Sequence, residues 1–231
     1  MTYTDPQPTT TDPVIEDIAH RRAWWPLVAS AAGAAGIVGT LLTDLHVDDP
    51  EATMNAAMIA EVDPTTARIG FYAGYLTVGL LLVFGACWRR HVEPRVPGSS
   101  AARVVSSGVT AAAGALILGY GWKGAVAIYF EGGPEDTAVD AQGQFIYLML
   151  NDFGSFFGWT GVLVSACAIA WMSFRERTVS YWLGIVTALL AVATIGAMLV
   201  MSVPGIPGIS MPLWLGILGL GLVFGKSTIT R

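Results

Sequence analysis

The sequence predicts an all-α fold, a polytopic transmembrane helical bundle of six spans with a short surface helix in the first outer loop. Composition is the first reason, since 54% of the 231 residues are hydrophobic and 13% are charged, with a mean hydropathy of +0.59. The second is that the apolar residues form several runs, most of them long enough to cross a hydrocarbon core about 30 Å thick. The main predicted partner is therefore the lipid bilayer.

Residues 1–19 are rich in Thr, Pro and Asp and lack an apolar period, which predicts a disordered cytoplasmic tail. The remainder, residues 20–231, is predicted to form a single transmembrane domain. Its first span covers residues 24–43 and begins with Trp24 and Trp25, since tryptophan is typical of the membrane interface. The preceding pair Arg21 and Arg22 fits a cytoplasmic flank, and a twin-arginine export signal is the alternative.

The loop after Asp44 is strongly acidic and contains a helix-start pattern, Asp49 followed by Pro50. Met54 and Met58 lie one helical turn apart, so they would share one face of a helix. The pattern predicts a short surface helix over residues 50–60 that rests on the outer mouth of the bundle.

Five further spans follow. Span two covers residues 67–88, and spans three and four form a hairpin within residues 103–174, joined by the acidic turn 131–136. Span five covers residues 179–203 and span six residues 211–224. Glycines at helix-packing spacing favour close helix contacts, which serve a compact bundle or a homodimer face equally well.

The distribution of basic residues predicts orientation, because Lys and Arg accumulate on the cytoplasmic side of membrane proteins. Of the 12 Lys and Arg residues, all but Arg68 and the intramembrane Lys123 flank one side of the predicted spans. The residues on that side are Arg21, Arg22, Arg89, Arg90, Arg95, Arg103, Arg175, Arg177, Lys226 and Arg231. Both termini are therefore predicted to be cytoplasmic, in a bacterial inner membrane.

Lys123 and Asp152 are the first candidates for a site, because each interrupts an apolar run of the hairpin. Ionised residues within spans usually face a partner or a watery cavity. Lys123 lies eight residues before Glu131 and Asp152 lies ten residues after Gln142, so the two are predicted to meet across the antiparallel pair.

Other polar and aromatic residues lie near the same level, close to the outer boundary of the membrane. The predicted ligand-binding residues are Lys123, Asp152, Asn151, Trp122, Tyr120, Ser155, Asp44, Arg68 and Tyr72. Polar groups among aromatic walls are typical of small-ligand pockets. The alternative is that the charges only snorkel to water or fix helix register through ion pairs.

The sequence favours no catalytic residue, no cofactor and no metal site. Its three histidines all lie outside the predicted spans, so bis-histidine haem ligation within the bilayer is excluded. Cys87 and Cys167 form no Cys-x-x-Cys motif, and no phosphate-binding loop is present. Asp44, His46 and Asp48 could hold a metal ion, but a solvated acidic loop is the simpler interpretation.

These observations favour a binding protein over an enzyme. An outward-facing polar pocket would bind or help to move a small molecule, an ion or a lipid. The alternatives are a structural or accessory subunit of a membrane complex and, more weakly, a lipid-modifying enzyme that uses Asp152 as a base. No nucleic-acid partner is expected, and because 231 residues are few for a transporter built of two large repeats, transport would require a homodimer or a partner membrane subunit.

Overall fold

A computed structural model describes residues 23–45, 59 and 62–230 of the chain. Within those ranges the secondary structure consists of α-, π- and 3-10 helices, without strands. The predicted tail over residues 1–19 and the predicted surface helix over residues 50–60 lie outside the described residues, apart from position 59. Both therefore stay predictions.

The first two helices, α1 and α2, cross at small residues. Helix α1 spans Leu27–Gly36 and continues as a π-helix, Ile37–Leu42. Helix α2 spans Pro64–His91, and its N-cap Asp63 accepts hydrogen bonds from two backbone N–H groups of the first turn. Gly39 lies directly against α2, since a Cβ there would come within 2.9 Å of the Gly74 nitrogen.

Helices α3 and α4 form the predicted hairpin. Helix α3 spans Ser100–Tyr129 and α4 spans Ala141–Phe157. Each begins with a side-chain cap, in which Ser99 Oγ accepts from Ala102 N at 3.0 Å and Asp140 Oδ1 accepts from Gly143 N at 2.9 Å. Such caps satisfy N–H groups that have no partner inside the helix.

The predicted fourth span is interrupted. After α4 the chain turns at Gly158 and Trp159, then helix α5 spans Thr160–Trp171 and continues as a π-helix, Met172–Glu176. The missing Cβ of Gly158 lets Leu116 of α3 pack close to the backbone. At the same turn the indole of Trp159 is fully buried. At this turn the chain therefore packs against α3 through Gly158 and against α1 through Trp159, whose ring lies next to Gly36.

Helix α6 spans Tyr181–Met201 and α7 spans Ile206–Phe224, and a short 3-10 turn, Thr228–Thr230, follows. Helix α7 begins earlier than the predicted start at residue 211. Pro207 lies in its first turn, where a missing N–H costs nothing, so the proline-rich stretch starts the helix rather than preceding it.

Five apolar helical segments are long enough to cross a membrane, and a shorter one, Leu27–Leu42, accompanies them. The long segments are Pro64–Arg95, Ser100–Tyr129, Ala141–Glu176, Tyr181–Met201 and Ile206–Phe224. These helices fit a membrane helical bundle. Large apolar side chains on the outside of the bundle, such as Leu199 and Val200, are exposed, as is expected of a surface that faces lipid.

Helix α3 occupies the centre, with α2, α4 and α5 packed around it, while α1 lies between α2 and α7. The α3–α4 contact is close where Gly119 meets the backbone of Gly154. Glycine permits this because no Cβ separates the two helices. Here the small residues hold two helices of the same chain together, which is the first of the two roles that the sequence left open for its glycines.

Candidate ligand site at the acidic end of the bundle

Lys123 lies in the half of the bundle nearest the turn 131–136, here called the acidic end. Its side chain is fully buried. The ammonium Nζ donates to the carbonyl oxygens of Gly39 at 2.8 Å and Thr43 at 2.7 Å, and more weakly to Thr43 Oγ1 at 3.4 Å. All three hydrogen bonds therefore go from α3 to the end of α1.

The position of these acceptors explains why a buried cation is tolerated. Thr43 is the C-cap of the π-helical extension of α1, and the last carbonyls of a helix have no partner within it. Those carbonyls also carry the negative end of the helix dipole, which favours a cation. Lys123 thus acts as a cap for α1 that is supplied by another helix.

Asp44 lies close enough to act electrostatically on the Lys123 ammonium. The sequence predicted Asp152 as the partner of Lys123 across the hairpin. In the described part of the chain the hydrogen bonds of Nζ go instead to Gly39 and Thr43. The sequence did not anticipate these carbonyl acceptors, because it placed the hairpin residues only by level along the helix, and the pairing of Lys123 with Asp152 stays a prediction.

One turn deeper, a second buried polar group centres on Thr40. Its Oγ1 lies 2.8 Å from Tyr120 Oη and accepts from Trp159 Nε1 at 3.1 Å. It also lies 3.4 Å from the carbonyl oxygen of Ser155. One hydroxyl thereby joins α1, α3, α4 and the turn before α5.

Asn151 is the exception in this well-satisfied interior. The side chain is 2% exposed, and its Oδ1 is the one buried side-chain polar atom without a hydrogen-bond partner in the part of the chain that the structure describes. A buried acceptor left unpaired costs about 1–3 kcal/mol. Native structures rarely retain such an atom without a reason.

Helix register places Asn151 at the level of Lys123. Gly119 of α3 meets Gly154 of α4, and Lys123 follows Gly119 by one turn while Asn151 precedes Gly154 by almost one. Because the helices are antiparallel, both steps lead toward the acidic end. Asn151, Gly154 and Ser155 are all buried, so they share the inward face of α4.

The structure does not gather all nine candidates. Lys123, Tyr120, Asn151 and Ser155 are buried and lie on the inward faces of α3 and α4. Trp122 and Asp152 are half-buried, and Asp44 is exposed beyond the end of α1. Arg68 is half-buried and donates to the carbonyl of Gly132 at 2.6 Å, which ties α2 to the hairpin turn. Tyr72 is 69% exposed on the outer face of α2.

Sequence reasoning missed Thr40, Thr43 and Trp159. The two threonines were the available signal, because they lie three residues apart in an otherwise apolar run and follow Gly39. Among the described residues no three His, Cys, Asp or Glu side chains group in the manner of a metal site. The described side chains at this site can therefore interact with a ligand through hydrogen bonds and charge.

Comparisons of this chain with protein-family profiles, with curated proteins and with solved structures found no match.

Proposed function

We propose that this chain is a binding protein of a bacterial inner membrane that holds a small polar molecule at the acidic end of its bundle. Asn151 contacts the ligand, Asp152 and Asp44 flank the entrance, and Lys123 positions the end of α1. The proposal is of a binding role without a covalent step. Movement of the ligand across the membrane would require a second copy or a partner subunit.

The unpaired Oδ1 of Asn151 is the observation that carries this proposal. A carbonyl-type acceptor that is buried among apolar helices is stabilised when a ligand supplies a hydrogen-bond donor. The ligand class is therefore a small molecule with at least one N–H or O–H group. The flanking carboxylates favour a neutral or cationic ligand over an anion.

A second candidate is the accessory subunit of a membrane complex, and the partners of Lys123 favour it. The Lys123 ammonium donates its hydrogen bonds to the carbonyls of Gly39 and Thr43, so its charge stabilises the packing of α3 against α1. On this alternative the acidic end binds no ligand. Asn151 would then be a tolerated defect.

The topology proposed with this function has six spans and cytoplasmic termini. Leu27–Leu42 adds one span to the five long segments and is the first along the chain. Its 16 residues measure about 24 Å, and Trp24 to Pro26 extend it toward the interface. Single cysteines introduced at positions 132–138, after replacement of Cys87 and Cys167, should react with an impermeant reagent added outside intact cells. Reaction at positions 93–99 instead would reverse the orientation.

The function is tested with Asn151→Leu, which keeps the side-chain volume and removes the acceptor. Native mass spectrometry of the purified full-length protein, in one mild detergent, is expected to show a bound small-molecule mass on the wild type that Asn151→Leu lacks. Thr187→Val is the matched control, because Thr187 is also buried and polar but accepts from Trp214 Nε1 near the other end of the bundle. The control should keep the bound mass.

Thermal unfolding in the same detergent separates the two candidates. Removal of an unpaired buried acceptor should leave the ligand-free protein equally stable or stabilise it. If the wild type carries no bound mass, and Asn151→Leu gains stability without a change in cell growth, the binding proposal is wrong and the accessory-subunit role is favoured.

A further inference from the structure

A cavity lies at the opposite end of the bundle, here called the basic end, where α5, α6 and α7 meet. Its volume is about 760 Å³, within the range of small-ligand pockets. The lining includes Arg177 and Lys226 together with the aromatic rings of Phe174, Tyr181 and Trp182. No residue of α3, of α4 or of the candidate ligand site lines it.

The cavity has a positive electrostatic character. Arg177 and Lys226 are both exposed, and none of the described residues that line the cavity is acidic. The neighbouring Glu176 is outside the lining, and its carboxylate accepts from Ser99 Oγ at 2.8 and 2.7 Å. Two cations therefore face the cavity without a carboxylate in its wall.

The start of α6 adds to this character. Ser180 is the N-cap and lines the cavity, but its side chain makes no capping hydrogen bond to the first turn. The positive end of the helix dipole is therefore not offset by a side-chain cap at this position. It supplements the two cationic side chains, which remain the main source of attraction.

The depth of the cavity fits a lipid headgroup. Helix α6 has 21 residues, a length of about 31 Å that matches the hydrocarbon core. Arg177 precedes α6 by four positions and Lys226 follows α7 by two, so both lie at the boundary between hydrocarbon and water. Tyr181 and Trp182 are typical of the same layer.

We propose that this cavity binds an anionic phospholipid, with Arg177 and Lys226 on the headgroup phosphate and the aromatic rings beside the first part of the acyl chains. Basic pockets between helices at one membrane face bind lipids of this class. The proposal concerns the opposite end of the bundle and does not depend on the ligand of Asn151.

The test measures lipid binding to the full-length protein in detergent by native mass spectrometry. Phosphatidylglycerol and phosphatidylcholine with identical acyl chains are the two probes. The wild type is expected to prefer phosphatidylglycerol, and the variant R177Q/K226Q should lose roughly 10- to 30-fold of that preference, as two cations near a membrane surface imply. Binding of phosphatidylcholine should not change.

Two controls decide whether this particular cavity is responsible. R89Q/R90Q removes two exposed charges from the same end but outside the lining, and R177K/K226R keeps both charges in place; each should keep the preference. An unchanged preference in R177Q/K226Q, or an equal loss in R89Q/R90Q, overturns the proposal.

Inorganic phosphate distinguishes a lipid from a soluble anion. If it displaces phosphatidylglycerol from the wild type at equal concentration, the acyl chains contribute nothing and the lipid assignment is wrong. Should R177Q/K226Q fail to fold, wild-type binding at low and high salt gives the answer. A preference that does not fall as salt rises excludes the two cations as its source.

Discussion

Both ends of the bundle carry cations, but the surroundings of those cations differ. At the acidic end Lys123 is fully buried, and its ammonium hydrogen-bonds to the carbonyls of Gly39 and Thr43. At the basic end Arg177 and Lys226 are exposed and border a cavity that has no acidic residue in its described lining. Lys123 is thus hydrogen-bonded inside the bundle, whereas Arg177 and Lys226 face outward.

This difference shows that a charge within or beside a span does not by itself mark a ligand site. The decisive question is whether the chain satisfies the charge internally. The ammonium of Lys123 is satisfied by the end of α1, so the proposed ligand site rests on the uncharged Asn151, whose Oδ1 has no hydrogen-bond partner among the described residues. At the basic end the cations themselves remain accessible to a partner.

Replacement of the two lysines gives the largest predicted contrast. Lys123→Met should destabilise the protein by about 2–4 kcal/mol, because hydrogen bonds from a charged donor to the end of α1 are lost. The loss is less than the sum of those bonds, since Met avoids the cost of burying an ammonium. Lys226→Met, which changes an exposed residue, should stay within about 0.5 kcal/mol. Unfolding in detergent by heat or denaturant measures both.

A double-mutant cycle tests the partner of Lys123. If the contact with α1 is correct, Lys123→Met and Asp152→Asn should be additive within about 0.5 kcal/mol. If Asp152→Asn instead recovers the stability lost in Lys123→Met, the result supports the Lys123–Asp152 pair that the sequence predicted. Equal unfolding midpoints for Lys123→Met and the wild type would show that Lys123 does not stabilise the end of α1.

The buried hydroxyls offer a second comparison between the ends. Thr40 interacts with two buried groups, Tyr120 Oη and Trp159 Nε1, whereas Thr187 accepts only the Trp214 indole N–H among the described side chains. Thr40→Val should therefore lower the free energy of unfolding by about 1–3 kcal/mol, and Thr187→Val by about half of that. A larger loss in Thr187→Val, measured by thermal unfolding, would contradict the central role of Thr40.

The sequence predicted the membrane class, most of the helices and the level of the polar residues. These features follow from run length, turn residues and helical rise, which are properties of the chain taken along its axis. Lys123, Tyr120, Asn151 and Ser155 were predicted within about one helical turn of one level for this reason, and all four are buried. The start of α2 was predicted at residue 67, whereas the helix begins at Pro64 with Asp63 as its N-cap.

The sequence could not predict which faces meet. A helix that is apolar on all sides carries no amphipathic signal to show its inward face. Thr40 and Thr43 were therefore missed, and Tyr72 was assigned to a pocket although it points outward. At the interruption Gly158 packs against Leu116 of α3, a contact that the local sequence does not reveal.

The cap on α1 requires close contact between α1 and α2, which gives a further prediction. Gly39→Ala would bring a Cβ within 2.9 Å of Gly74 N and push α1 away from α2. Overpacking of this kind typically costs about 1–3 kcal/mol, and the better helix propensity of Ala returns about 0.5–1 kcal/mol. The matched control is Gly79→Ala on α2, where the Cβ meets nothing within 4 Å. It should be neutral or stabilising in the same unfolding assay.

The smallest expected effect concerns Asp63, the exposed N-cap of α2. The hydrogen bond from the Thr66 side chain, followed by that from the Thr65 backbone N–H, lowers the pKa of this carboxyl below its usual 3.8. Because the folded pKa is the lower one, the stabilising effect is complete above the unfolded pKa and is lost as pH falls through the folded pKa. The unfolding midpoint of the wild type should therefore fall below about pH 4 more steeply than that of Asp63→Asn, which caps without titrating. Since Asp63 is fully exposed, the difference should be small beside that of Lys123→Met. A parallel decline of wild type and Asp63→Asn would assign the acid sensitivity to other carboxylates.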